Sequence, residues 1–188
     1  MSSRYAVILD ACVLYPAQLR DLLLSMATTD LFRARWTDQI HDEWIRNVVA
    51  NGGSPEKLAK TRQRMNDALP DCLVTGYEHL IDGLKLPDPS DRHVLAAAIV
   101  GGVDAIVTTN LKHFPPEALA PYSLEPLHPD DFVMYQFDLN PPRYCEAIKA
   151  QRARLRKPPL TVDQFLESLE KLQMPQTVAR LKSFDNLI

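Results

Sequence analysis

The stretch Ala6-Val7-Ile8-Leu9-Asp10-Ala11-Cys12-Val13-Leu14 decides how the rest of the chain reads. Four apolar residues in a row, without polar alternation, read as a short buried strand, and Asp10 ends it. An aspartate at that place is informative because strand C-termini and helix starts of an open α/β sheet converge on one crevice. Residues far apart in sequence can meet there.

Working outward, Pro16 precedes Leu19, Leu22, Leu23, Leu24 and Met26, an apolar face at helical spacing. Phe32 to Trp36 reads as a second strand. Thr37 then caps a helix to about Ala50, which Asn51-Gly52-Gly53 stops. Ser54-Pro55-Glu56 starts another helix, with proline at its first position, ending near Leu69-Pro70. Cys72-Leu73-Val74 reads as a brief strand. The turn Leu86-Pro87-Asp88-Pro89-Ser90 feeds an alanine-rich helix headed by Asp91 and closed by Gly101-Gly102. Ala105 to Val107 reads as a buried strand, and Leu124 to Leu127 as an edge strand. Strands alternating with helices imply a three-layer α/β/α domain, residues 1–128, around a mainly parallel sheet. Residues 129–188 read as a helical extension, packed on that domain or on a partner. Its seam is Tyr144, Ile148, Gln151 and Leu155, continued by Leu166, Leu169 and Leu172.

At 188 residues the chain buries a core without disulfides. Its three cysteines, Cys12, Cys72 and Cys145, have no C-x-x-C spacing and read as small core residues in a reducing compartment. The start, Met1 to Tyr5, runs into a strand too short for a signal peptide, and no apolar run approaches the ~20 residues of a membrane span. A cytoplasmic protein is expected. A net charge of −3 argues against general coating of nucleic acid, though not against a local basic surface.

Asp10, Glu43, Asp91 with Asp88 beside it, and Asn110 are the candidate site residues. Each has an ordinary alternative: Asp91 as a helix cap, Glu43 as a solvated helical acid, Asn110 as a turn residue. Together they suggest a cation site, because gathered carboxylates repel unless an ion sits among them. Oxygen donors favour Mg²⁺ or Mn²⁺.

In order and context these motifs resemble the PIN domain, over roughly residues 4–128. Asp10 ends the opening strand, and Glu43 lies in Thr37-Asp38-Gln39-Ile40-His41-Asp42-Glu43-Trp44. Asp91 opens Asp91-Arg92-His93-Val94-Leu95-Ala96-Ala97-Ala98, while Thr108 and Asn110 lie in Ile106-Val107-Thr108-Thr109-Asn110-Leu111-Lys112-His113-Phe114-Pro115. The resemblance is closest to VapC-like bacterial toxins with an extra helical C-terminal segment. It implies a metal-dependent endoribonuclease, an RNA substrate and a cognate antitoxin protein, and it leaves room for a homodimer. Asp10 and Asp91 would be the main metal ligands, with Glu43 binding through water or acting as base. Thr108 would support them. Two departures stand out: Asn110 replaces an aspartate, and His113 another acid. Asp88 is placed to compensate, and His113 to orient a phosphate or water.

RNA contact would need positive charge outside the cleft. Lys57, Lys60 and Arg64 share one helical face. Lys149, Arg152 and Arg156 share another, joined by Arg154 and Lys157. Two rival readings remain. A haloacid-dehalogenase-type phosphatase also opens with a strand ending in aspartate, but needs an acid where this chain has Cys12. A catalytically weakened PIN fold could serve as an RNA- or protein-binding module.

Overall fold

The computed structural model describes residues 5–155 and 159–184. Its sheet has four strands in the order β2-β1-β3-β4: β1 Ala6–Leu9, β2 Arg33–Arg35, β3 Ala105–Val107 and β4 Glu125–Leu127. All three pairings are parallel, with Ile8 opposite Arg35 on one side and Ile106 on the other. β1 and β3 are central and wholly apolar because helices cover both their faces. β4 tolerates Pro126 because it lies at an edge, where one row of backbone groups needs no ladder partner. From β1 the chain steps outward to β2, and later returns to β3 on the opposite side. The strand order therefore reverses between β1 and β3, which opens a crevice beyond their carboxyl ends.

The helices begin and end where local chemistry dictates. They are α1 Ala11–Leu14, α2 Ala17–Thr28, α3 Asp38–Ala50, α4 Pro55–Ala68 and α5 Arg92–Gly101, then α6 Pro116–Leu119, α7 Pro129–Leu139, α8 Pro141–Arg154, α9 Val162–Lys171 and α10 Pro175–Lys182. Thr37 Oγ1 accepts from the Ile40 amide at 3.0 Å, satisfying a donor that the first turn of α3 leaves free. Gly102 stops α5 in a left-handed conformation, φ 56°, which glycine adopts without steric cost. No helix among the described residues is long and apolar enough to cross a membrane.

Of the helices after β4, α8 lies against α2, α7 packs on α8, and α10 packs on α7 and α9, and one continuous core joins them to the sheet. Tyr144, Ile148 and Gln151 of the α8 seam are wholly buried. Phe32 and Phe132 meet edge to face with centroids 4.7 Å apart. The Gln151 amide donates to the Gln18 carbonyl at 2.8 Å, and the Arg143 guanidinium to the Thr29 carbonyl at 3.1 Å. Asp130 is buried and accepts from the Gln176 and Thr177 amides at 2.8 and 2.9 Å, fastening the start of α10 to α7. The α/β domain is thus what covers the seam.

Three local expectations are corrected. Cys72 to Val74 makes only a single parallel bridge, Trp36 to Leu73, rather than a strand. Asp91 precedes α5 without a side-chain capping bond, because its carboxylate is engaged elsewhere. Cys12 is half-buried at the crevice, while Cys72 and Cys145 are the buried core thiols.

Candidate active site

The crevice is built first by the backbone. The Asp10 amide donates to the Val107 carbonyl at 3.1 Å and the Thr108 amide to the Leu127 carbonyl at 3.0 Å, so both residues extend the sheet ladder by one step. Side by side, their side chains meet: the Thr108 hydroxyl donates to Asp10 Oδ2 at 2.7 Å. Asp10 Oδ1 accepts from the Ala11 amide at 2.6 Å, at the start of α1. The Cys12 thiol also reaches Asp10 Oδ2, at 3.1 Å, and its sulfur accepts from the Thr109 amide at 3.3 Å. Burial, and then the charge of Asp10, push that thiol up to about 11. It stays protonated at neutral pH and orients Asp10 rather than acting as a nucleophile. A protonated thiol at this position also removes the second acid that the phosphatase reading requires.

A second group gathers around His113. Its Nδ1 lies 2.8 Å from Asp91 Oδ2 and 3.9 Å from Asp88 Oδ2. Asp88 is held by the Ser90 amide at 2.9 Å and the Ser90 hydroxyl at 2.7 Å, which lower its pKa. The Asp91 carboxyl shifts the other way. Burial raises it, the charges of Asp10 and Asp88 add to the rise, and the bond from His113 partly opposes it. Among the described residues, Asp88, Asp91 and His113 form the one group of three acidic, histidine or cysteine side chains with ligand atoms within 4.8 Å of one another. The donors, two carboxylates and an imidazole, suit a divalent cation. The negative charge crowding Asp91 is what such an ion would neutralise.

Glu43 forms a third group. Its Oε1 lies 2.9 Å from Nε2 of His93, a side chain only 3% exposed. The structure therefore does not gather Asp10, Glu43 and Asp91 as tightly as Asp88, Asp91 and His113. Asp10 adjoins Asp91 closely enough to influence its charge, while Glu43 of α3 reaches this region through His93. The Asn110 amide nitrogen of the backbone donates to Thr108 Oγ1 at 3.0 Å, so that residue braces the threonine.

The basic residues divide. Lys57, Lys60 and Arg64 are exposed on α4, and Arg62 among them is committed to Asp38 and Asp42 at 2.5 and 2.8 Å. Lys149 is exposed on α8. Arg152 donates to the Leu160 carbonyl at 3.4 Å, and Arg154 pairs with Asp21 at 3.1 Å and with the Ser25 hydroxyl. The expected run of available arginines is therefore partly engaged within the fold. Arg156 and Lys157 lie outside the described residues.

Sequence reading missed His93 and the placement of Cys12. A histidine entering the apolar run Val94-Leu95-Ala96-Ala97-Ala98 was the available signal, since a buried imidazole calls for a partner. That partner could not be named without the fold.

Comparison with known proteins fits this geometry. A family model described as the PIN domain matches residues 6–112, and one described as the VapC50 C-terminal domain matches residues 129–183. The chain is 40% identical over 134 residues to "Putative ribonuclease VapC50" of Mycobacterium tuberculosis (strain ATCC 25618 / H37Rv), covering 69% of this chain and 75% of that protein. No solved structure matches it. A strand-end aspartate braced by a threonine across the switch point, with Asp91 from the start of α5 near it and these matches along the chain, places the protein in the PIN-domain family, with a C-terminal segment of the VapC50 type.

Proposed function

We propose that the protein is a divalent-metal-dependent endoribonuclease and the toxin of a toxin–antitoxin pair, acting in the cytoplasm. The observation that carries this reading is the gathering of Asp88, Asp91 and His113, ligand atoms within 4.8 Å of one another, with the charges of Asp10 and Asp88 adding to the rise that burial causes at Asp91. Mutual repulsion among carboxylates is a standing cost to the fold unless a cation joins them. The similarity to a protein named a ribonuclease supplies the substrate class.

Asp88, Asp91 and His113 would hold Mg²⁺ or Mn²⁺, with Asp10 adjoining. An imidazole in the set tilts it from Mg²⁺ towards Mn²⁺, because Mg²⁺ strongly prefers oxygen donors. A divalent ion supplies charge stabilisation to the transferring phosphate and its leaving oxygen. The chain's own side chains do the rest. Thr108 and Cys12 fix the Asp10 carboxylate, the Asn110 backbone amide braces Thr108, and Glu43 would bind the ion through water or act as base for the attacking water. Lys57, Lys60, Arg64 and Lys149 are the exposed cations that would track RNA phosphates, and their contribution should fall with added salt. A cognate antitoxin would cover the cleft.

The test is cleavage of total bacterial RNA by the purified protein with Mg²⁺, Mn²⁺ or a chelator. Metal-dependent cutting that Asp10→Asn and Asp91→Asn remove is the expected result. RNA binding without cleavage, unaffected by chelator, would favour the binding-module reading. The His113–Asp91 bond gives that reading its own support, because it offers Asp91 a partner without an ion.

A further inference from the structure

We infer that His93 is a positioning residue that sets the carboxylate of Glu43 for the reaction, an inference that rests on the nuclease reading above. His93 is 2% exposed, and its Nε2 meets Glu43 Oε1 at 2.9 Å. Its other ring nitrogen, Nδ1, is buried without a hydrogen-bond partner. The two nitrogens thus have unequal surroundings. An N–H on Nδ1 would be buried unpaired, whereas an N–H on Nε2 donates to a carboxylate, so the proton belongs on Nε2. The imidazole is then a fixed donor rather than an exchanging one, and it holds Glu43 by Oε1 alone.

Position on α5 gives this clamp its consequence. Asp91 stands immediately before the helix and His93 is its second residue. One helix start therefore carries an acid of the cleft and also grips the acid offered by α3. The separation of Asp91 and Glu43 is set by packing within one turn of α5 rather than by two independent flexible side chains. Pre-set geometry of this kind contributes to rate through orientation.

The experiment compares His93→Leu, which fills similar volume without a donor, with His93→Gln, whose side-chain amide can donate to Glu43. Both are studied alongside Glu43→Gln and the double variant His93→Leu/Glu43→Gln. His93→Leu should lower kcat by about 10–100-fold, the range for losing a hydrogen bond that orients a metal-site ligand, with KM little changed. His93→Gln should recover most of that loss. In the double variant, loss of His93 should add almost nothing to loss of Glu43. A further readout does not need turnover: Mn²⁺ titration of the four proteins by calorimetry should show the same non-additive pattern. Full kcat in a folded His93→Leu protein, or additive losses with no rescue by glutamine, would overturn the inference. If the parent protein cleaves no RNA, the nuclease reading fails, and additive Mn²⁺ affinities would separately refute the clamp.

Discussion

Two polar clusters of the molecule differ in kind. On α3, His41 lies two residues before Glu43. His41 Nδ1 accepts from the Trp44 indole at 3.0 Å, and its Nε2 meets Asn66 Oδ1 at 3.1 Å. The same Asn66 oxygen accepts from the Trp36 indole at 2.8 Å. Both indoles and both His41 nitrogens are paired there, and burial favours the neutral imidazole, so the cluster ties α3 to α4 and the strand end. The crevice at Asp10, Asp88 and Asp91 is the reverse: three acids crowd together, and burial raises Asp91. A satisfied neutral network holds structure, while carboxylates gathered in a cleft would suit a bound cation.

The difference can be broken first at the crevice. Asp10→Asn or Asp91→Asn should reduce RNA cleavage by at least about 100-fold, comparable to removing a principal electrostatic contact to a transition state. The same changes should leave the metal-free melting temperature unchanged or slightly higher, since they relieve repulsion. A cleavage assay and a thermal melt on each variant decide the matter.

Asn66→Leu attacks the other cluster. It strands the Trp36 and His41 donors in the interior, with an expected loss of about 1–3 kcal/mol for each unsatisfied group. Denaturant unfolding should show that loss, and cleavage per folded molecule should be retained. Loss of activity without loss of stability would reverse the roles given to the two clusters.

The clusters should also separate in acid. Burial pushes the His41 imidazole below its ordinary value of 6.5. Below that pH the unfolded chain takes up a proton that the folded chain refuses, so stability falls as pH drops. Asp91 has the opposite sign: a raised acid binds its proton more readily when folded, so its ionisation costs stability as pH rises through its ordinary range. His41→Gln should flatten the loss of stability just below pH 6.5 in a set of melts, with Asp91→Asn changing the slope only at lower pH.

The smallest effect is expected on the C-terminal helices. Arg154→Ala should barely change RNA affinity, because its guanidinium already pairs with Asp21. Lys149→Glu, at an exposed cation without such a pair, should weaken binding and reduce its salt dependence. Equal effects by filter binding would show that the Arg154 pair opens to admit RNA.

Much of this molecule was readable in one dimension. The strand 6–9, the caps at Thr37 and Ser54, the stop at Gly102 and the proline-started C-terminal helices depend on neighbours within a few residues, so local sequence determines them. The aspartate after β1 and the threonine after β3 were legible too, because strand ends are functional positions whatever the detail of the fold. Pairings were not legible. Whether Asp91 caps α5 or bonds His113, whether His93 meets Glu43, and whether Arg154 waits for RNA or binds Asp21 depend on distances across 22, 50 and 133 residues of chain. Only packing of the helices on the sheet sets those distances. Sequence by itself determined which residues could do chemistry and roughly where each element begins; tertiary structure decided which of them touch, because burial and charge act through space.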